Sequence, residues 1–117
     1  MHIVVCKDYE EMSRRAAEIV AEQIKKRPDG LISFPGGDTP LGMVHVFADM
    51  VNEGKVDISR THYVSLDEWV GLSNEDGGSC GLFNQQNLLS RLQHPFAGTH
   101  IIPLSETTLK VMTKYFG

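Results

Sequence analysis

Cysteine is scarce. The chain of 117 residues has two, Cys6 and Cys80, which form neither a C-x-x-C pair nor a metal-ligand spacing. Two cysteines make no disulfide-rich secreted scaffold; reduced thiols are expected, the alternative being a single disulfide between them. Long apolar runs are missing too: none approaches the roughly 18 residues that a membrane span needs. The apolar stretch in "MHIVVCKDYEEM" is too short for a signal peptide, and acids follow it directly. These features predict a cytoplasmic chain with no membrane partner. Positive charge is not in excess: 11 Lys and Arg stand against 15 Asp and Glu, a net charge of −4, which gives no support for nucleic acid as a partner. The histidines His2, His45, His62, His94 and His100 are scattered, and no pair has the i, i+4 spacing of a zinc site on one helix face.

The sequence does have a regular alternation of elements. A hydrophobic fraction of 41% is enough to bury a core, and the length fits one domain over residues 1–117. "HIVVC" is a short β-branched run and reads as a buried strand. Asp8 and Glu11 form a capping-box-like start. Met12, Ala16, Ile19, Val20 and Ile24 then recur at helical spacing, which predicts an amphipathic helix from Asp8 to about Lys26. "RPDG" stops it, and "LISF" is a second strand. Thr39 and Pro40 look like N-cap and first helical residue of a helix with Leu41, Val44, Phe47, Ala48 and Val51 on its apolar face. "HYVSL" is a third strand. A polar, Gly-rich stretch follows from Asp67 to Gly81. Leu82, Phe83, Leu88, Leu89 and Leu92 suggest a third helix, "HII" before Pro103 a fourth strand, and Ser105 caps a last short helix through Lys114.

Strands and helices alternating at this pitch predict an α/β fold with βαβ units: a doubly wound, mostly parallel sheet with helices on both faces. Ligands of such sheets bind beyond the C-terminal ends of the strands. Two loops lie there. "SFPGGDTPLG" leads from a strand into a helix whose first N–H groups have no partner within the helix. Glycine lets a ligand approach the backbone, and the helix dipole favours an anion, above all a phosphate. The alternative is an ordinary strand–helix turn in which Thr39 only caps its helix. The stretch matches neither the Walker pattern nor G-x-G-x-x-G, and Asp38 would repel a phosphate unless it points away. The second loop, "LDEWVGLSNEDGGS", places Asp67 at a strand end. A partly desolvated carboxylate there has a raised pKa and can act as a base; alternatively Asp67 and Glu68 cap a turn or pair with surface cations. Trp69, the one tryptophan, reads as a packing residue rather than a substrate platform.

Taken together, "FPGGDTPLG", "VSLDEWVGL" and "GS" before an Asn-containing helix resemble the N-terminal half of the glucosamine-6-phosphate deaminase/isomerase family, which also contains the 6-phosphogluconolactonases. The resemblance covers about residues 1 to 103. It implies a Rossmann-like fold, here a partial domain, that binds a small-molecule sugar phosphate at the strand ends without cofactor or metal. It implies that Gly36, Gly37, Asp38 and Thr39 contact the 6-phosphate and that Asp67 is the catalytic base, with Glu68 and Ser79 in support. In the deaminases that base moves a proton between C2 and C1 of the opened sugar through an enolamine, and loss of ammonia yields the ketose phosphate.

The departures from the family pattern are specific. Asp38 stands where Gly or Ser is common, Cys80 where deaminases often have Tyr, and Trp69 where the lactonases have Arg. Family members are roughly twice as long, and their later half carries the ring-opening His, further acids and cationic phosphate ligands. The tail over residues 104–117 is atypical, although "KYF" resembles a much later family segment. The expected function is therefore that of a glucosamine-6-phosphate deaminase/isomerase-like protein, inactive alone if the missing half is essential. Its alternatives are a non-catalytic sugar-phosphate-binding module and a 6-phosphogluconolactonase-like hydrolase. Half of a doubly wound sheet leaves apolar edges open, which predicts a homo-oligomer.

Overall fold

The computed structural model of the protein describes residues 1–102 and 113–114. Helix α1 runs over Tyr9–Lys26, β1 over Leu31–Ile32, α2 over Asp38–Asn52, β2 over His62–Val64, α3 over Cys80–Asn87 and β3 over Gly98–His100, with a 3₁₀ turn at Leu89–Arg91. The strands form one parallel sheet in the order β1-β2-β3. This is the expected α/β class, present as a partial domain.

Local chemistry sets the helix starts. Asp8 caps α1, its carboxylate accepting from the Glu11 N–H at 2.8 Å, while the Glu11 carboxylate reaches back to the Lys7 N–H at 2.6 Å. Helix α2 starts earlier than the Thr39-Pro40 pair suggests. Its N-cap is Gly37, so Thr39 lies inside the first turn and caps nothing. The Tyr9 hydroxyl of α1 holds that turn instead, donating to the Asp38 carbonyl at 2.8 Å and accepting from the Gly42 N–H at 2.9 Å. Gly42 has no side chain because α1 leaves no room for one: a Cβ there would lie 2.9 Å from the Tyr9 ring.

The core lies on one side of the sheet. Ala17, Ala21 and Ile24 of α1, Val44, Phe47 and Val51 of α2, and Leu88 after α3 form one buried cluster with Phe34 and Tyr63. Phe34 meets Phe47 edge-on at 5.4 Å, and Tyr63 stacks on Phe96 at 5.3 Å. Each such pair adds about 0.5–1.5 kcal/mol beyond its area burial. The fully buried Tyr63 hydroxyl donates to Asn84 Oδ1 of α3 at 2.7 Å, and burial pushes its pKa up to about 12. Residues paired in a parallel ladder project to the same side, so Leu31, His62, Val64, Gly98 and His100 share the opposite face. There Leu31 is 64% exposed, and the exposed rings of His62 and His100 stack at 5.8 Å.

Two strand expectations need correction. Residues 2–6 form no strand: Ile3 and Val5 are exposed and make no ladder with β1, which among the described residues pairs only with β2. A β-branched run signals a need for sheet partners, and among the described residues none is offered. The last strand lies at Gly98–His100 rather than at "HII", because its register follows β2, with Tyr63 opposite Thr99. The expected helix from Ser105 lies outside the described residues except at 113 and 114.

Candidate functional site

The two loops singled out in the sequence meet. After β1 the chain passes Gly36 and Gly37 into α2; after β2 it passes Asp67 and Trp69 toward α3. Between them lies a cavity of about 420 Å³, lined by Gly36, Gly37, Asp67 and Trp69 on the loops and by Ser79, Cys80, Phe83 and Gln86 at α3. That volume is in the range that holds small metabolites. A Cβ on Gly36 would sit 3.7 Å from the Phe83 ring, so the first loop lies directly against α3. Gly37 has φ +101° and ψ −176°, a region that essentially only glycine enters.

Each expected site residue has a definite place. Gly36, Gly37, Asp67 and Ser79 line the cavity; Asp38 and Thr39 follow at the start of α2 and do not. Asp67 is exposed, not partly desolvated as expected, because the loop carries it past the end of the buried strand. Ser79 is buried and caps α3, its Oγ accepting from the Leu82 N–H at 2.8 Å. Glu68 does not line the cavity. Its carboxylate accepts from the N–H groups of Trp69 and Cys80, each at 2.8 Å, and of Gly81 at 2.9 Å.

Two titrations follow from this arrangement. Burial alone would raise the Glu68 pKa, but the N–H donors of Gly81, Cys80 and Trp69 together outweigh it and hold the carboxyl below the usual range. Burial pushes the Cys80 thiol up, and the carboxylates of Asp67 and Glu68 push it further. Both effects favour the neutral thiol of Cys80 over the thiolate at the cavity wall. Because Glu68 is more acidic in the folded chain, its contribution to stability is fully present above its unfolded pKa of about 4.3 and is lost as pH falls through its folded value. The difference in urea midpoint between the native chain and Glu68→Gln is expected to be constant near neutrality and to shrink below that pH. A difference that grows on acidification would contradict the assignment.

Trp69 is 66% exposed and faces the cavity instead of the core. Sequence reasoning also passed over Phe83 and Gln86. The available signal was the spacing 79, 82–83, 86 on a helix that begins at the cavity. Among the described residues no three His, Cys, Asp or Glu side chains gather as they would around a metal ion, and no helix is long and apolar enough to cross a membrane.

No family model matches the chain. Known proteins do. The glucosamine-6-phosphate deaminase of Clostridium perfringens is 40% identical over 92 residues, which cover 79% of this chain and 38% of that protein. The chain is related to glucosamine-6-phosphate deaminases. The enzyme of that name from Thermoanaerobacter pseudethanolicus is 36% identical over 101 residues, covering 86% of this chain and 40% of its own. Among solved structures, a monomeric glucosamine-6-phosphate deaminase superposes with a TM-score of 0.85 at 25% identity, over 97% of this chain and 47% of that one. A 6-phosphogluconolactonase from Shewanella baltica superposes at 0.65 with 15% identity, over 94% of this chain and 50% of that one; at that identity it shares the fold. The resemblance read from the two loop motifs thus holds, and the chain spans about two fifths of the length of its curated relatives.

Proposed function

We propose that this chain is the sugar-phosphate-binding half of a glucosamine-6-phosphate deaminase/isomerase site, with its proton-transfer base in place. The observation that carries this reading is the convergence of the Gly36–Gly37 turn and Asp67 on one sugar-sized cavity. The 6-phosphate sits at the start of α2, where no side chain caps the helix and the dipole favours an anion. The Gly36, Gly37, Asp38 and Thr39 segment supplies its contacts through the backbone, Gly36 and Gly37 from the cavity wall and Asp38 and Thr39 from the first turn of α2 behind it. The sugar chain then extends toward Asp67, whose carboxylate takes the C2 proton of the opened aldose and returns it to C1. The enolamine formed between these steps becomes a C2 imine once C1 is protonated; water adds to that imine, its oxygen becomes the ketone oxygen, and the nitrogen leaves as ammonia. A small polar metabolite of this kind suits a cytoplasmic chain.

Ammonia release from glucosamine 6-phosphate tests the chemistry. Loss of a positioned base costs about 10²–10⁴-fold in rate, so Asp67→Asn is expected to fall by that much. Equal release from both chains would overturn the role of Asp67. Binding without release from either would favour the second reading, a non-catalytic sugar-phosphate module, which the short span relative to full-length deaminases also supports. The lactonase-like alternative has less behind it: its structural neighbours share the fold at 15–17% identity, and Trp69 replaces the arginine of that pattern.

Copies of the chain are proposed to associate through the open sheet. Among the described residues the outer edge of β1 has no strand partner, and with the exposed apolar residue Leu31 it invites pairing. Light scattering is expected to show a species larger than 13.0 kDa at micromolar concentration. A clean monomer under those conditions would contradict this.

A further inference from the structure

Two helices begin at the cavity, and their first N–H groups differ in what they meet. At α3 every early donor has an acceptor from the protein: Cys80 and Gly81 donate to the Glu68 carboxylate, and Leu82 donates to Ser79 Oγ. At α2 no side chain among the described residues caps the end, and Pro40 has no N–H, which leaves Gly37, Asp38 and Thr39 as the donors of that turn. Glu68 stands outside the cavity although both its neighbours, Asp67 and Trp69, line it. Its bonds to Cys80 and Gly81 span 12 and 13 residues of chain, and its third bond ties the Trp69 peptide to the same carboxylate.

We propose that Glu68 is the positioning residue of this site: it fastens the segment bearing Asp67 and Trp69 onto the start of α3. By filling that helix end with the protein's own carboxylate, it leaves the start of α2 as the place for the ligand's anionic group. The inference rests on reading the cavity as a sugar-phosphate site. Glu68 touches no substrate and moves no proton; it sets the direction in which the ligand lies. A second anion at α3 would meet donors already in use and a negative charge. The phosphate therefore goes to α2, and the sugar is directed toward the wall that Glu68 holds. Both effects need the ionised form, because a glutamine in the same place turns an N–H donor toward the main-chain donors that Glu68 satisfies.

The test compares inorganic phosphate and glucosamine 6-phosphate as ligands of the full 117-residue chain and of Glu68→Gln. Phosphate affinity is expected to stay within about twofold, since the α2 turn is untouched. Sugar-phosphate affinity is expected to fall about tenfold, the scale of one charge-assisted hydrogen bond. General loosening of the fold would lower both together, and equal affinities in the two chains would overturn the proposal. A second measurement uses the native chain alone, so it holds even if the variant fails to fold. In amide NMR the N–H resonances of Trp69, Cys80 and Gly81 are expected to shift together with pH in a single titration, that of the Glu68 carboxyl. Three independent profiles would overturn the clamp whatever the ligands do. If the native chain binds neither ligand while the three amides titrate as one, the sugar-phosphate reading and the positioning of a ligand fall together, and the tie between loop and helix stands.

Discussion

Gly37→Ala is expected to weaken glucosamine 6-phosphate binding by about tenfold to a hundredfold while the chain stays folded. Space is not the reason, since a Cβ at Gly37 would meet nothing within 4 Å. The backbone is. At φ +101° and ψ −176° a residue with a Cβ is strained by about 1–3 kcal/mol. An exposed loop relieves such strain by turning its peptide, and the peptide that turns is the one that opens α2. The N–H groups that would meet the phosphate then point elsewhere, so the strain reappears as lost affinity rather than lost stability. Calorimetric titration beside a urea unfolding curve separates the two. Unchanged affinity would remove the Gly36–Gly37 turn from the phosphate site.

Gly42→Ala is expected to cost about 1–3 kcal/mol of stability, read as a lower urea midpoint. Two effects compete. Alanine in a helix interior gains up to about 1 kcal/mol over glycine. Against that, the new methyl group would stand 2.9 Å from the Tyr9 ring and 3.0 Å from Ser13 Cβ, and those atoms belong to α1. The helix must move as a body, which pulls the Tyr9 hydroxyl from the Asp38 carbonyl and the Gly42 N–H and opens the main helix–helix contact. The clash outweighs the propensity gain. Gly77→Ala serves as the comparison: it has open space and no positive φ, so no clash opposes the change. A stabilised Gly42→Ala would show that the helices are not so close.

The two substitutions also mark what sequence can carry. The Asp8–Glu11 start of α1 was legible because its bonds span only a few residues. The order of elements from α1 to β3 was legible for the same reason, being a matter of apolar spacing. Thr39 and Pro40 misled because their preferences are also local, whereas the start of α2 is fixed by the conformation of Gly37 and by Tyr9, which lies 29 residues before Asp38. The two loops of the site were legible through composition, and the family pattern joined them. The hydrogen bonds of Glu68 were not, because its partners at Cys80 and Gly81 become neighbours only once α3 has docked. Residues 2–6 show the opposite failure. Their strand signal is strong, but a strand needs a partner, and periodicity within the run says nothing about whether one is present.

Trp69 makes the central claim directly measurable, since it is the one tryptophan and lines the cavity. Its fluorescence should be followed while the native chain is titrated with glucosamine 6-phosphate, with Gly37→Ala in parallel. The account predicts a saturable change with a midpoint below about 1 mM, in the usual range for metabolic sites, and a shift to much higher concentration in the variant. No change in the native chain at several times that concentration would contradict it.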